Sequence, residues 1–137
     1  LVDRLEDLHY GLKRINSKFG GKARETWDTW LRGAGPPPIK TDKGWLVLYH
    51  AIEKLDPHRY KLGAMLLDTN NPTKVLARSQ GPVLSPDEWY ENDWKSGVVY
   101  ACGAVVKGSD LLVYYGGGDK HVCVAHANLP DLLNSLI

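Results

Sequence analysis

The pattern of apolar and polar positions changes character near residue 30. Leu1, Leu5, Leu8, Leu12 and Ile15 recur at spacings of 4, 3, 4 and 3, which lines them along one face of a helix over the first 19 residues. Asp3 and Glu6 stand early in that segment and Lys13 and Arg14 late, the order that a helix dipole favours. Gly20 and Gly21 end the pattern. Further on, Pro36, Pro37 and Pro38 exclude a helix interior and suit an edge or entry segment. Residues 45–51, 60–68 and 74–78 read as strands separated by polar turns. Residues 81–94, with their prolines and with Trp89 and Trp94, read as a long ordered loop. Strands return at 98–107, 111–115 and 122–127, and residues 130–137 read as a short closing helix with Asn128 near its cap. Two segments result: a helical segment and linker over 1–26, and a β-rich segment over 27–137.

The β-rich segment repeats internally. Ile39-Lys40, a polar turn and Trp45-Leu46-Val47-Leu48-Tyr49 match Val106-Lys107, a turn and Leu111-Leu112-Val113-Tyr114-Tyr115, at an offset of about 67 residues. Each copy has a glycine upstream, Gly35 and Gly103. Each continues into small and apolar residues, Leu62-Gly63-Ala64-Met65 and Val122-Cys123-Val124-Ala125. Antiparallel sheets repeated at this spacing point to propeller blades, while a β-sandwich gives short strands and turns too, and the pattern alone leaves both open.

Composition narrows the function classes. The 137 residues include 17 basic and 16 acidic side chains, a net charge of +1, so nothing electrostatic favours nucleic acid or an anionic membrane as partner. No apolar run approaches the roughly 20 residues of a membrane span, and no signal-peptide pattern opens the sequence. Because the chain opens on Leu1 rather than Met, an N-terminus cut or left out is expected. Cys102 and Cys123 are too few for a disulfide scaffold and too far apart for a zinc knuckle. Both lie in apolar stretches and read as buried thiols, which fits a cytoplasmic location. His121 and His126 are five apart on a strand, face opposite sides and do not share a metal, so no metal site is expected.

Four linked motifs, in order, carry a resemblance. They are Gly33-Ala34-Gly35-Pro36-Pro37-Pro38-Ile39-Lys40-Thr41 with Gly44-Trp45-Leu46 and Tyr49-His50; Tyr60-Lys61-Leu62-Gly63-Ala64 with Leu66-Leu67-Asp68; Cys102-Gly103-Ala104-Val105-Val106; and Tyr114-Tyr115-Gly116 leading to Asp119. Together they resemble glycoside hydrolase family 130, over about residues 27–137. The resemblance implies an all-β fold, namely about two blades from the C-terminal portion of a five-bladed propeller, flanked here by an N-terminal and a short C-terminal helix. It implies inverting enzymes that cleave β-mannosidic bonds with inorganic phosphate or water and need no other cofactor. In the resemblance Asp119 contacts the mannose hydroxyls, His50 lines the central site and Tyr100 packs beside the sugar. Tyr60 contributes to the phosphate side. The family's lysine before the first glycine of the motif is replaced by Leu31, with Arg32 beside it as a displaced phosphate ligand. The family's general acid and arginine pair belong to N-terminal blades that this sequence does not contain, and no catalytic residue is assigned.

Each of these residues has a plainer reading. Gly116-Gly117-Gly118-Asp119 alone is a turn with a capping aspartate, and it lacks the Gly-Lys-Ser/Thr ending of a P-loop. His50 alone is a hydrogen-bonded strand histidine, and Tyr49, Tyr114 and Tyr115 are blade-packing residues. Trp27 and Trp30 pack beside the first motif or stack on a sugar. The expected function is therefore the C-terminal part of a β-mannoside-acting protein that is inactive alone for want of the acid. A non-catalytic carbohydrate-binding module and a structural remnant are the alternatives. A homo-oligomer that covers open sheet edges is the expected assembly.

Overall fold

A computed structural model describes residues 27–137; the helix expected from the leucine stripe lies outside the described residues. Eight strands are formed: β1 (Trp30–Ala34), β2 (Ile39–Thr41), β3 (Gly44–Glu53), β4 (Asp56–Leu67), β5 (Val75–Arg78), β6 (Val99–Lys107), β7 (Asp110–Gly117) and β8 (His121–Asn128). One turn of 3-10 helix (Trp89–Glu91) precedes β6, and helix α1 (Leu129–Leu136) follows β8. The first sheet runs β1-β3-β4-β5, with β2 also on β3; the second runs β6-β7-β8. Every ladder is antiparallel. β3 to β8 and the closing helix thus overlap the segments that the sequence pattern predicts, whereas β1 and β2 are strands it does not mark.

The repeat is visible in the pairing. β1 and β2 form one row along β3, broken at residues 35–38 because prolines cannot donate to a ladder. β6 is the uninterrupted counterpart along β7. Both rows slip by one residue near their start, between Leu31 and Gly33 and between Ala101 and Gly103. The structure corrects the reading of Cys102: its side chain is exposed, while Cys123 is half-buried. Tyr114, unlike Tyr49 and Tyr115, is also exposed.

The two sheets meet face to face. Leu46 and Leu48 of β3 and Leu62, Ala64 and Leu66 of β4 pack on Val99 and Ala101 of β6 and on Leu111, Val113 and Tyr115 of β7. Leu133 and Leu136 of α1 seal one end, and Asn128 caps that helix by accepting from the Asp131 amide at 3.0 Å. On the reverse face of the first sheet Val47, Tyr49, Ala51, Met65 and Leu67 are covered by Trp27, Leu31 and Trp45. Burial on both faces is why β3 reads as a continuous apolar run, whereas β7 alternates.

Buried polar groups are paired across long sequence separations. Arg78 Nη2 lies 2.7 Å from Asp28 Oδ2, the Tyr49 hydroxyl donates to the same oxygen at 3.0 Å, and Arg78 Nε donates to the Tyr49 hydroxyl at 3.0 Å. Burial pushes the Tyr49 phenol up to about 12. The Tyr115 hydroxyl donates to Glu91 Oε1 at 2.7 Å, and Glu91 Oε2 accepts from the Glu88 amide at 2.8 Å, which fastens the long loop to the second sheet.

His50 is the polar link between the sheets. Its ring is buried, and Nε2 accepts the Ala101 amide proton of β6 at 2.8 Å. A further hydrogen bond joins it to the Gly33 backbone, and burial pulls its pKa down from 6.5 to about 4. The folded state therefore keeps the ring neutral where the unfolded chain protonates it. Stability is fully present above about pH 6.5 and falls as the pH drops towards 4, by on the order of 3 kcal/mol. Melting temperature followed from pH 7 to pH 4 should drop less in His50→Ala than in the parent, although the variant starts lower; parallel curves would refute the assignment. Tyr115→Phe strands the Glu91 carboxylate and should cost about 1–3 kcal/mol in denaturant unfolding.

Candidate functional site

The site is built on the turn between β7 and β8. Gly118 and Asp119 both adopt left-handed backbone conformations, with φ of 58° and 55°. A Cβ at Gly118 would also stand 3.0 Å from the Tyr90 carbonyl oxygen, so glycine is required there. Aspartate is one of the few other residues that tolerates this conformation, and placing it next aims a carboxylate outward. The turn is stapled to the preceding loop on both sides of Gly118: its amide donates to the Val98 carbonyl at 3.0 Å, and its carbonyl accepts the Lys95 amide at 2.9 Å. Lys95 is thereby delivered to Asp119, with Nζ 2.9 Å from Oδ2, and this hydrogen bond holds the ammonium above its usual pKa.

Tyr60 arrives from the other sheet. Its amide donates to the Gly97 carbonyl at 2.8 Å, and an isolated parallel bridge pairs it with Val98. Tyr60, Lys95, Val98, Tyr100 and Asp119 line an open cleft of about 240 Å³. Tyr100 is exposed and lies flat on His50, with ring centroids 4.3 Å apart and planes 4° from parallel. Three of the five sequence-predicted site residues, Asp119, Tyr100 and Tyr60, are thus brought to one place. His50 sits beneath Tyr100 with its hydrogen bonds spent on backbone, so it fixes the aromatic face and adds no polar group to the cleft. Arg32 is outside the cleft wall, its guanidinium 6.0 Å from the centroid of the Tyr60 ring. Leu31 is turned into the apolar cluster around Tyr49. Lys95 carries no periodic or motif signal in the sequence; only the backbone staple places it beside Asp119.

The cleft combines a carboxylate that can accept two hydroxyls, aromatic rings, and an ammonium, which is the chemistry of hydroxyl-rich or anionic ligands. The remaining histidines serve surface pairs: His121 Nε2 and Lys120 Nζ approach Asp93 Oδ2 at 3.0 and 2.6 Å, and His126 Nε2 approaches Asp110 Oδ1 at 3.0 Å. Among the described residues no group of three His, Cys, Asp or Glu could hold a metal ion, and no helix is long and apolar enough to cross a membrane.

The chain also has relatives among known proteins. A family model described as beta-1,4-mannooligosaccharide phosphorylase matches residues 6–136. The 1,2-beta-oligomannan phosphorylase of Thermoanaerobacter sp. (strain X514) is 43% identical over 108 residues, which are 78% of this chain and 36% of that protein. The beta-1,2-mannobiose phosphorylase of Listeria innocua serovar 6a is 41% identical over 111 residues, 80% of this chain and 31% of that one. The solved structure of the Listeria innocua beta-1,2-mannobiose phosphorylase in complex with beta-1,2-mannobiose superposes with a TM-score of 0.75 at 39% identity, covering 82% of this chain and 32% of the other. The chain therefore spans about a third of the length of these relatives. On the family match, which runs through nearly its whole length, the chain belongs to glycoside hydrolase family 130.

Proposed function

We propose that residues 27–137 form about two blades of a five-bladed propeller and bind a β-mannoside in the cleft at the β7–β8 turn. The observation that carries this reading is the convergence of Asp119, Tyr100 and Tyr60, drawn from three different strands and turns, with Lys95 as their cation. Asp119 accepts a pair of sugar hydroxyls, and Tyr100 offers its face to the apolar side of the ring. Lys95, with Arg32 behind Tyr60, supplies the positive charge for inorganic phosphate as co-substrate; the lysine that the family motif would place at Leu31 is absent. The protein acts in the cytoplasm, whose reducing conditions suit its two free thiols.

Turnover needs more than this cleft. In an inverting reaction a carboxylic acid protonates the departing oxygen while phosphate or water attacks the anomeric carbon from the opposite face. Asp119 accepts the Lys95 ammonium on one carboxylate oxygen, and it is assigned here to the sugar hydroxyls. The general acid belongs to the N-terminal blades of the family pattern, so this chain alone binds and does not turn over. The same observation favours the second reading, a non-catalytic carbohydrate-binding module.

Calorimetric titration of the chain with β-1,2-mannobiose should show binding, and Asp119→Asn should weaken it about ten- to a hundredfold, the loss of one charge-assisted hydrogen bond. Asparagine tolerates the left-handed backbone at that position, so the fold is retained; unchanged affinity would sink the sugar assignment. Inorganic phosphate should raise the melting temperature, and Lys95→Met should abolish that rise. If Lys95→Met keeps it and Arg32→Met removes it, the phosphate cation is Arg32 instead. Phosphorolysis or hydrolysis of the disaccharide by the lone chain would refute the requirement for an acid supplied from elsewhere.

A further inference from the structure

A second cleft opens where the β7–β8 turn runs into β8. Trp89, Tyr90 and His121, with residues 122–124, line a hollow of about 320 Å³ that shares no lining residue with the Tyr60–Asp119 cleft. Trp89 is 70% exposed yet held in place. Its backbone opens the 3-10 turn, which Glu88 and Glu91 cap reciprocally, and the Tyr115 hydroxyl anchors Glu91 at 2.7 Å. Its indole meets Tyr90 and His121 edge to face, with ring centroids 5.6 and 5.5 Å away. An indole fixed by ordered neighbours and left open to solvent loses little freedom when a ligand covers it. Polar groups stand beside it. Asp93 Oδ2 meets both Lys120 Nζ at 2.6 Å and His121 Nε2 at 3.0 Å, which leaves Oδ1 open. Those two hydrogen bonds hold the Asp93 carboxyl below its usual pKa, so Oδ1 is an ionised acceptor. His121 Nδ1 is likewise not engaged by the described residues.

We propose that this cleft is a second saccharide subsite, in which Trp89 stacks on a further sugar unit of an oligosaccharide whose end occupies the Asp119 cleft. The proposal rests on the reading of that first cleft as a mannoside site. An open aromatic face beside a carboxylate oxygen and an imidazole nitrogen matches a pyranose, whose C–H face covers the ring while its hydroxyls reach the polar atoms. The two clefts are also continuous in the chain. His121 is two residues from Asp119, so the backbone separates them by no more than about 7 Å, a span that a short oligosaccharide covers. An apolar peptide segment is a poorer occupant, because it would desolvate Asp93 and Lys120 without replacing their hydrogen bonds to water.

The test is calorimetric titration of the chain with β-1,2-mannobiose and with the β-1,2-linked mannotetraose. The tetrasaccharide should bind about three- to tenfold more tightly, the size of one aromatic stacking contact. Trp89→Ala should remove that gain and Trp89→Phe should restore part of it, while the affinity for mannobiose stays that of the parent. The melting temperature of both variants should be nearly unchanged, because the side chain is mostly exposed. Trp94→Ala removes another exposed tryptophan of the same loop, one that lines neither cleft, and should alter neither affinity. Asp119→Asn should weaken both sugars. Equal affinities for the two sugars in the parent, or a gain that survives Trp89→Ala, would overturn the second subsite and leave the Asp119 reading standing. Failure of both sugars to bind would overturn that reading, and the second subsite with it.

Discussion

The structure depends on burying the β3–β4 ladder on both faces. Once Leu46, Leu48, Leu62 and Leu66 are covered by the second sheet and Val47, Tyr49 and Met65 by Trp27, Leu31 and Trp45, β3 has no solvent side left. Polar groups within it must then be satisfied internally. That constraint explains two of the buried polar contacts. The Tyr49 hydroxyl is closed into the Asp28–Arg78 pair, and the His50 imidazole spans the gap between sheets to the Ala101 amide. A buried ion pair adds little net stability, but losing either partner is costly, so Asp28 and Arg78 fix where the chain enters β1 and where it leaves β5.

The binding cleft inherits its precision from the same contacts. Tyr100 lies on a histidine whose position is set by burial and by two backbone partners, so its ring has a floor and a fixed tilt. Asp119 is held by a turn in which Gly118 bonds Val98 through its amide and Lys95 through its carbonyl. Tyr60 is paired through its backbone with the strand that carries Tyr100. The site is therefore formed by two sheets locked together, and none of its side chains depends on a free loop. The exposed Lys95–Asp119 pair contributes little to folding in water; its consequence is to orient the carboxylate.

Much of this was legible in the sequence, for identifiable reasons. The strands over 45–51, 60–68 and 98–107 are marked by aromatic and branched residues, and the repeat shows because both hairpins keep the same order of turn, aliphatic run and small-residue strand. Tyr60, Tyr100 and Asp119 were recognisable through the linked motifs. Lys95 was not, because its role is set by a main-chain bond to Gly118, and main-chain bonds leave no signature in side-chain pattern. Cys102 reads as buried because it lies in an apolar stretch, whereas alternation from the buried Val99 and Ala101 puts its side chain on the exposed face. His50 was read as a wall of the site; its burial follows from β3 being covered on both faces, which a linear pattern does not reveal.

Inverting chemistry makes a division of labour between sheets physically reasonable. The acid and the incoming phosphate or water act on opposite faces of the anomeric carbon, so the groups that recognise the ring need not share an element with the group that protonates the leaving oxygen. On the proposed reading, a pair of sheets that fixes one carboxylate, one aromatic face and one cation would hold a mannosyl unit without completing the reaction. Placing an acid across the bond requires, in addition, a wall on the far side of the sugar.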